Sequence, residues 1–218
     1  MAHLRFRQVH LDFHTSEKIV SIGKDFDAEE FAKTLKEAYV NSVTCFARCH
    51  HGMIYYDTKF KEARHPGLEF DLLRAQIEAC HRVGIKVPIY ITVGRDEFVS
   101  RRHPEWCNLD PEGRFVGPGA KPLSPGWRRL CLNTPYVDYV FEQTKEVLEL
   151  FDVDGLFFDI IHQPPCLCHY CLQGMLEEGL DPENPNDRVR YACKVQTQFQ
   201  REMTSMVRKY NKECTIFY

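Results

Sequence analysis

Short apolar runs along this chain alternate with stretches whose apolar positions recur at a period near 3.6, so strand and helix signals alternate. Residues 7–14 read as a first strand, with His10, Asp12 and His14 of one parity and therefore on one face. A polar turn leads to a helix expected over 27–40, with Phe31, Leu35, Ala38 and Tyr39 inward and Asp27 and Glu30 spaced as a capping box. Residues 42–47 form a second apolar run. A helix over 70–83 follows, burying Leu73, Ile77 and Cys80 and stopping at Gly84, and 86–93 is the third strand. Thr134 and Pro135 open a helix to 151, where Val137, Val140, Phe141, Thr144, Val147, Leu148 and Phe151 recur at helical spacing. The almost wholly apolar segment 155–161 is a fourth strand, 188–211 a long helix carrying Val195, Phe199, Met203, Met206 and Val207, and 215–218 starts a fifth strand.

Strands apolar on both faces and separated by helices imply a parallel sheet covered by helices. No glycine-rich phosphate turn follows the first strand, which disfavours a doubly wound nucleotide-binding sheet. The expected fold is therefore a (β/α)8 TIM barrel, of which residues 1–218 supply the N-terminal part of one domain, about five strands and four helices. A full barrel typically needs about 250 residues or more. The domain is accordingly expected to continue beyond Tyr218, and the isolated portion, with open first and fifth strand edges, to be inactive. Pro88 inside the third strand predicts a bulge or irregular pairing there.

Composition narrows the function classes. With 44% hydrophobic and 27% charged residues the chain is globular, and 28 basic against 31 acidic side chains leave a net charge of −3 without long runs of one sign. That excludes an electrostatic footprint for nucleic acid or an anionic membrane. No apolar stretch approaches the roughly 18–20 residues of a bilayer span, and the start is polar instead of signal-like, so a cytoplasmic protein is expected. In that setting the ten cysteines read as reduced thiols plus a metal site, with Cys45, Cys80, Cys193 and Cys214 as small core hydrophobes.

Chemistry is expected on the loops after the strand ends. His10, Asp12 and His14 would form a sugar- or metal-contacting wall, or else a satisfied strand end. Arg48, Cys49, His50, His51 and Gly52, followed by Tyr55 and Tyr56, combine ring nitrogens with flat aromatic faces, which suits a carbohydrate; a solvated loop is the plainer alternative. The aperiodic stretch 94–133 holds Trp106, Phe115 and Trp127 and reads as a lid, a substrate platform or a loop packed on itself. Asp159 ends a strand of aromatics, where an unbonded carboxylate is costly, and is the catalytic candidate; His162 lies just beyond, and Asp154 at the opposite strand end is structural. Cys166, Cys168 and Cys171 form C-x-C-x-x-C with His169 inside it, and Cys131 lies on the preceding loop. Together they suit a closed, structural four-thiolate zinc site; an iron–sulfur cluster or plain reduced thiols are the other readings. No organic cofactor is expected.

These segments resemble barrel glycosidases. Arg48 to Gly52 and on to Asp57 is similar to the His-His-Asp-Gly loop of α-L-fucosidases, without its Asp, and Gly84, Ile85 and Lys86 are similar to the approach to their third strand. The run V-D-G-L-F-F-D ending at Asp159 resembles the strand whose last Asp is their nucleophile. The resemblance implies that His50 and His51 hold the sugar and that Asp159 attacks the anomeric carbon. The cysteine cluster and the long loop before it resemble the zinc site of β-galactosidases of glycoside hydrolase family 42, which implies Cys131 as fourth ligand, although the Asn-Glu pair of that family is absent after Asp159. The whole resembles the hypothetical glycosyl hydrolases, which carry a similar His-x-Asp-Phe-His-Thr-Ser segment, here beginning at His10.

The implied function is retaining hydrolysis of a fucosyl- or galactosyl-type glycoside. Asp159 is the nucleophile, and His10, Asp12, His14, Arg48, His50, His51, Tyr55, Trp106 and His162 contact the substrate. Such chemistry needs a second carboxyl about 5–5.5 Å away; Glu97 and Glu105 on the third loop are the candidates. The expected partner is a carbohydrate, with no nucleic acid or membrane, and the full-length protein is expected to self-associate. A metal-dependent barrel hydrolase of amidohydrolase or phosphoesterase type using Asp12 and His14 is a second reading, since His10 and His14 would lie about 13 Å apart in an extended strand and only near neighbours share an ion. A non-catalytic carbohydrate-binding barrel is the third.

Overall fold

The computed structural model describes residues 5–117 and 126–218. Five strands, β1 (Gln8–His10), β2 (Ser42–Arg48), β3 (Pro88–Thr92), β4 (Gly155–Asp159) and β5 (Thr215–Phe217), pair in parallel in the order β1-β2-β3-β4-β5. A doubly wound sheet reverses its strand order at a switch point. This one never does, so the strands curl one way into half of a barrel. Helices α1 (Ala28–Glu37), α2 (Leu72–Arg82), α4 (Tyr136–Leu150) and α6 (Pro185–Tyr210) provide the crossovers. Among the described residues no helix is long and apolar enough to cross a membrane.

The helix limits follow local chemistry. Asp27 caps α1 by accepting from Glu30 N at 2.8 Å, and Asp71 caps α2 from Arg74 N at 2.9 Å. Gly84, at φ +78°, takes the left-handed turn that ends α2. The Thr134 hydroxyl accepts from Tyr136 N at the start of α4.

Several expectations are corrected. The first strand is only three residues long, because the Tyr55 hydroxyl bonds Thr15 N and Phe13 O and so draws residues 13–15 out of the ladder. Pro88 pairs in register with Gly155 as the first residue of β3, where a missing N–H is tolerated; the irregularity lies between Phe46 and Arg48 on β2. Two further helices, α3 (Glu97–Arg102) and α5 (His169–Glu177), occupy stretches read as loops, and residues 118–125 of the long loop lie outside the described residues. Both helices are too short to display a clear period. Cys193 is exposed, next to rather than on the α6 face that buries Tyr191, Ala192, Val195, Phe199, Met203 and Val207.

Strand parity divides the interior. Val43, Cys45, Ala47, Ile89, Ile91, Leu156 and Phe158 face the helices and join Leu73, Ile77, Val140, Val147, Phe199 and Met203 in the main core. Phe46, Tyr90 and Phe157 face the concave side, with Phe46 stacked on Tyr90 at 3.9 Å and Phe157 edge-on to it at 5.3 Å. At the strand ends two buried polar clamps hold the loops. Arg48 donates to Asp96 at 3.0 Å, to Tyr136 Oη at 3.1 Å and to the Thr92 carbonyl. Glu146 of α4 accepts from Tyr56 at 2.7 Å, from Thr58 at 2.6 Å and from Lys59 N, which pins the loop after β2.

Removing one member of the first clamp strands a buried charge. The Asp96→Ala variant is expected to lose about 3–5 kcal/mol of unfolding free energy. Urea denaturation checks this; a loss below about 1 kcal/mol would show that the pair behaves like a surface ion pair.

Candidate active site

Because every strand runs the same way, all the strand ends open on one face. On the concave side Tyr90 and Thr92 of β3 lie beside Phe157 and Asp159 of β4, the register pairing Thr92 with Asp159. Asp159 is partly buried, accepting from Tyr90 Oη at 2.5 Å on Oδ2 and from Ile160 N at 2.9 Å on Oδ1. Burial, and then the hydrogen bond to this carboxylate, raises the Tyr90 pKa, so the phenol stays a donor.

His50 faces this carboxylate, with Nε2 at 3.7 Å from Asp159 Oδ2. The Thr92 hydroxyl gives its only proton to the Arg95 carbonyl at 2.9 Å, so at 2.7 Å it must accept from His50 Nδ1–H. Nε2 of the neutral ring is then a bare acceptor beside Asp159. Burial first, then the neighbouring His14 and Arg95, push the His50 pKa down to about 3. His14 stacks on His50 at 4.1 Å, accepts from His50 N through Nδ1 at 3.1 Å and directs Nε2–H to Asp12 Oδ1 at 3.0 Å. His10 packs against Phe46, Tyr90 and Phe157, with Nε2 at 3.9 Å from Asp12. The segment leaving β1 thus supplies one wall, although only His10 belongs to the strand.

The structure therefore brings His10, Asp12, His14 and His50 together around Asp159. Other candidates lie elsewhere. Arg48 is fully buried in its clamp with Asp96, and Tyr55 is buried, stacked on His65 and bonded to residues 13–15; neither side chain presents a surface to a ligand. Trp106 stacks on His103 at 3.8 Å. Trp127 is the indole at the site, with its ring 4.9 Å from His50, 5.3 Å from His51 and 5.7 Å from His14. Both tryptophans belong to one aperiodic loop, and nothing local distinguishes them. His162 is exposed, its carbonyl accepting from Arg129. The Glu97 carboxylate binds Arg101 and Ser100, and Glu105 pairs with His103 on the surface. Tyr90 was missed because, before its neighbours are known, it reads as one more apolar strand residue.

A second constellation joins the loops after β3 and β4. Ligand atoms of Cys131, Cys166, Cys168 and Cys171 all lie within 4.8 Å of one another, every one buried, and the Cys131 and Cys171 sulfurs are 3.4 Å apart. Four thiolates about 2.3 Å from a tetrahedral ion would be roughly 3.8 Å apart, which this spacing brackets. Asn133 N and Gln163 Nε2 donate to Cys131 Sγ and Cys168 N to Cys166 Sγ, each at 3.4 Å, as thiolate ligands require. All ten cysteines are free. Among the described residues this is the group of three or more side chains able to hold a metal; Asp12 and His14 do not form one, because both ring nitrogens of His14 are committed to protein partners.

Asp154 behaves as its position implied, binding Lys86 at 2.6 Å, His81 at 2.8 Å and Val87 N at 2.8 Å at the far end of β4.

The profile of the family described as hypothetical glycosyl hydrolase 6 matches residues 27–160, more than half of the chain. Among solved structures, α-L-fucosidase isoenzyme 2 from Paenibacillus thiaminolyticus is 42% identical, with a TM-score of 0.93 over 98% of this chain and 32% of its own. The chain thus spans about a third of that relative. A Thermotoga maritima α-fucosidase (18% identity, TM-score 0.53, 92% of this chain and 37% of its own) shares the fold. So does a hypothetical protein from Ruminiclostridium thermocellum (16%, 0.54, 82% and 88%). No curated protein matches.

The histidine cluster makes stability depend on pH. An unfolded histidine protonates near 6.5 while folded His50 does so only near 3, so between these values the unfolded state binds the extra proton and stability falls as pH falls. Wild type is expected to lose up to about 1.4 kcal/mol more per pH unit than His50→Gln below about pH 6.5. Urea unfolding at pH 7 and pH 5 measures the difference; parallel curves would show that His50 is not held neutral.

Proposed function

Since this chain belongs to the hypothetical glycosyl hydrolase 6 family, we propose that it carries the nucleophile and sugar-binding half of a retaining glycosidase that removes α-L-fucosyl units. The observation that carries this reading is Asp159, a carboxylate at a strand end on the concave face, oriented by Tyr90 and Ile160 N beside the bare Nε2 of neutral His50. The 42% identity to an α-L-fucosidase supports a fucosyl over a galactosyl substrate.

Asp159 bonds to the anomeric carbon as the bond to the leaving oxygen breaks, and a second carboxylic acid protonates that oxygen; water then hydrolyses the glycosyl ester. Tyr90 holds Oδ2 in place, and its proton offsets charge on the carboxylate before attack. His50 Nε2 accepts a sugar hydroxyl, His14 keeps His50 in position through its backbone N–H, and Trp127 walls the site with an apolar face. Cys131, Cys166, Cys168 and Cys171 would hold a zinc ion with a structural role, tying the Trp127 loop to the segment following Asp159. The free thiols suit a reducing compartment such as the cytoplasm.

In the full-length protein, Asp159→Asn is expected to lower turnover of an aryl α-L-fucoside by at least about 10³-fold with the fold intact by circular dichroism. Unimpaired turnover removes Asp159 from the role, and fucose binding without turnover by wild type favours a binding barrel. Elemental analysis should find one zinc per chain, lost in Cys171→Ser together with thermal stability. A metal-free wild type that is equally stable would contradict the structural ion.

A further inference from the structure

Beside the catalytic residues, a cleft of about 510 Å³ runs between the loop after β2 and α3, with Glu17 from the β1–α1 connection on its rim. That size falls in the range of small-ligand sites. It adjoins the proposed reaction centre: His51 lines it, the His51 ring meets the edge of Trp127 at 5.3 Å, and Trp127 meets His50, which faces Asp159. A sugar beyond the scissile bond would pass over Trp127 into this space.

The cleft wall carries four cations, Lys61, Arg64, Arg101 and Arg102, against two carboxylates, Glu17 and Glu62. The pairing inside it is uneven. Arg101 is taken up by Glu17 at 2.8 Å and Glu97 at 3.1 Å, and Arg64 by Asp57 at 3.2 Å and the Leu68 carbonyl at 3.1 Å. Among the described residues Arg102 has no carboxylate within hydrogen-bond reach, its ion-pair partner Glu62, itself exposed, lying 3.9 Å from Nε. Its guanidinium lies 3.6 Å from the centre of the Phe98 ring, so the planar fork is stacked and pre-oriented. Among the described residues the exposed Lys61 side chain shows no partner. Met53, Pro66 and Phe98 add apolar surface. An oriented guanidinium, a free ammonium and an apolar floor together match a sugar ring bearing an oxyanion.

The geometry points to a leaving-group subsite for an anionic sugar, one carrying a sulfate ester or a carboxylate, held by Arg102 and Lys61. As a leaving-group subsite it rests on the glycosidase reading above; as an anion site it does not. The first measurement is therefore binding alone, by calorimetry, of galactose 6-sulfate, glucuronate and neutral galactose to the protein. At least one anion is expected to bind about tenfold or more tightly than galactose, with the preference shrinking between 25 and 300 mM salt, lost in Lys61→Gln/Arg102→Gln and retained in Lys61→Arg. Preference for the sulfate alone identifies a sulfated sugar, and preference for glucuronate alone an acidic one. Equal binding of all three, or a preference that survives the double variant, overturns the proposal. The second measurement is turnover, by the full-length protein, of fucosides with the same three sugars as leaving groups. The double variant should raise KM for the anionic substrate and leave the neutral one unchanged. Anion binding in the cleft without turnover of any fucoside refutes the glycosidase reading and leaves the anion site; turnover without anion preference does the reverse.

Discussion

Parallel pairing of β2, β3 and β4 is the constraint on which the rest of this molecule depends. Parallel ladders force every connection to cross over through a helix and deliver every strand end to one face. With a side-chain period of two, one choice of register puts Ile89, Ile91, Leu156 and Phe158 under the helices, and the same choice puts Tyr90, Thr92, Phe157 and Asp159 on the concave side. A slip of one residue would turn Asp159 into the apolar layer, where an unpaired carboxylate is prohibitively costly. Core burial and site geometry therefore select the same register.

Around that register the polar groups form a chain whose donors and acceptors can be followed one by one. Thr92 donates to Arg95 and so fixes the proton of His50 on Nδ1; the His50 backbone N–H fixes the lone pair of His14; His14 then points its remaining proton at Asp12. Each ring is held in one tautomer by the group behind it. Burial keeps His50 neutral despite the nearby carboxylate, which makes it an acceptor rather than a counter-ion for Asp159.

Two devices stiffen the loops that carry these groups. The Arg48–Asp96 clamp joins the end of β2 to the start of α3, and Asp96 also caps that helix by accepting from Val99 N at 2.8 Å. The cysteine cluster does the same for the loops after β3 and β4, with Gln163 bonding Asn108, Cys131 and Leu132 N between them. Loops this long would otherwise sample many conformations.

The hydrophobic pattern alone determined the order and type of the main elements, because the 3.6 repeat of α1, α2, α4 and α6 arises from helix geometry and one-sided burial, and the short apolar runs of β2–β4 from burial on both faces. Spacing likewise determined that three cysteines lie within six residues of chain, whereas Asp12 and His14 reach the side of His10 from outside the strand. What the tertiary structure decided concerns partners distant in sequence: that Tyr90 donates to Asp159, that Arg48 belongs to Asp96 and not to a ligand, and that Trp127 rather than Trp106 reaches the histidines. An arginine beside two histidines looks the same in sequence whether it faces solvent or is buried against a carboxylate 48 residues away. Side-chain identity records what a residue is able to bond; only the closure of the sheet decides which bond is within reach.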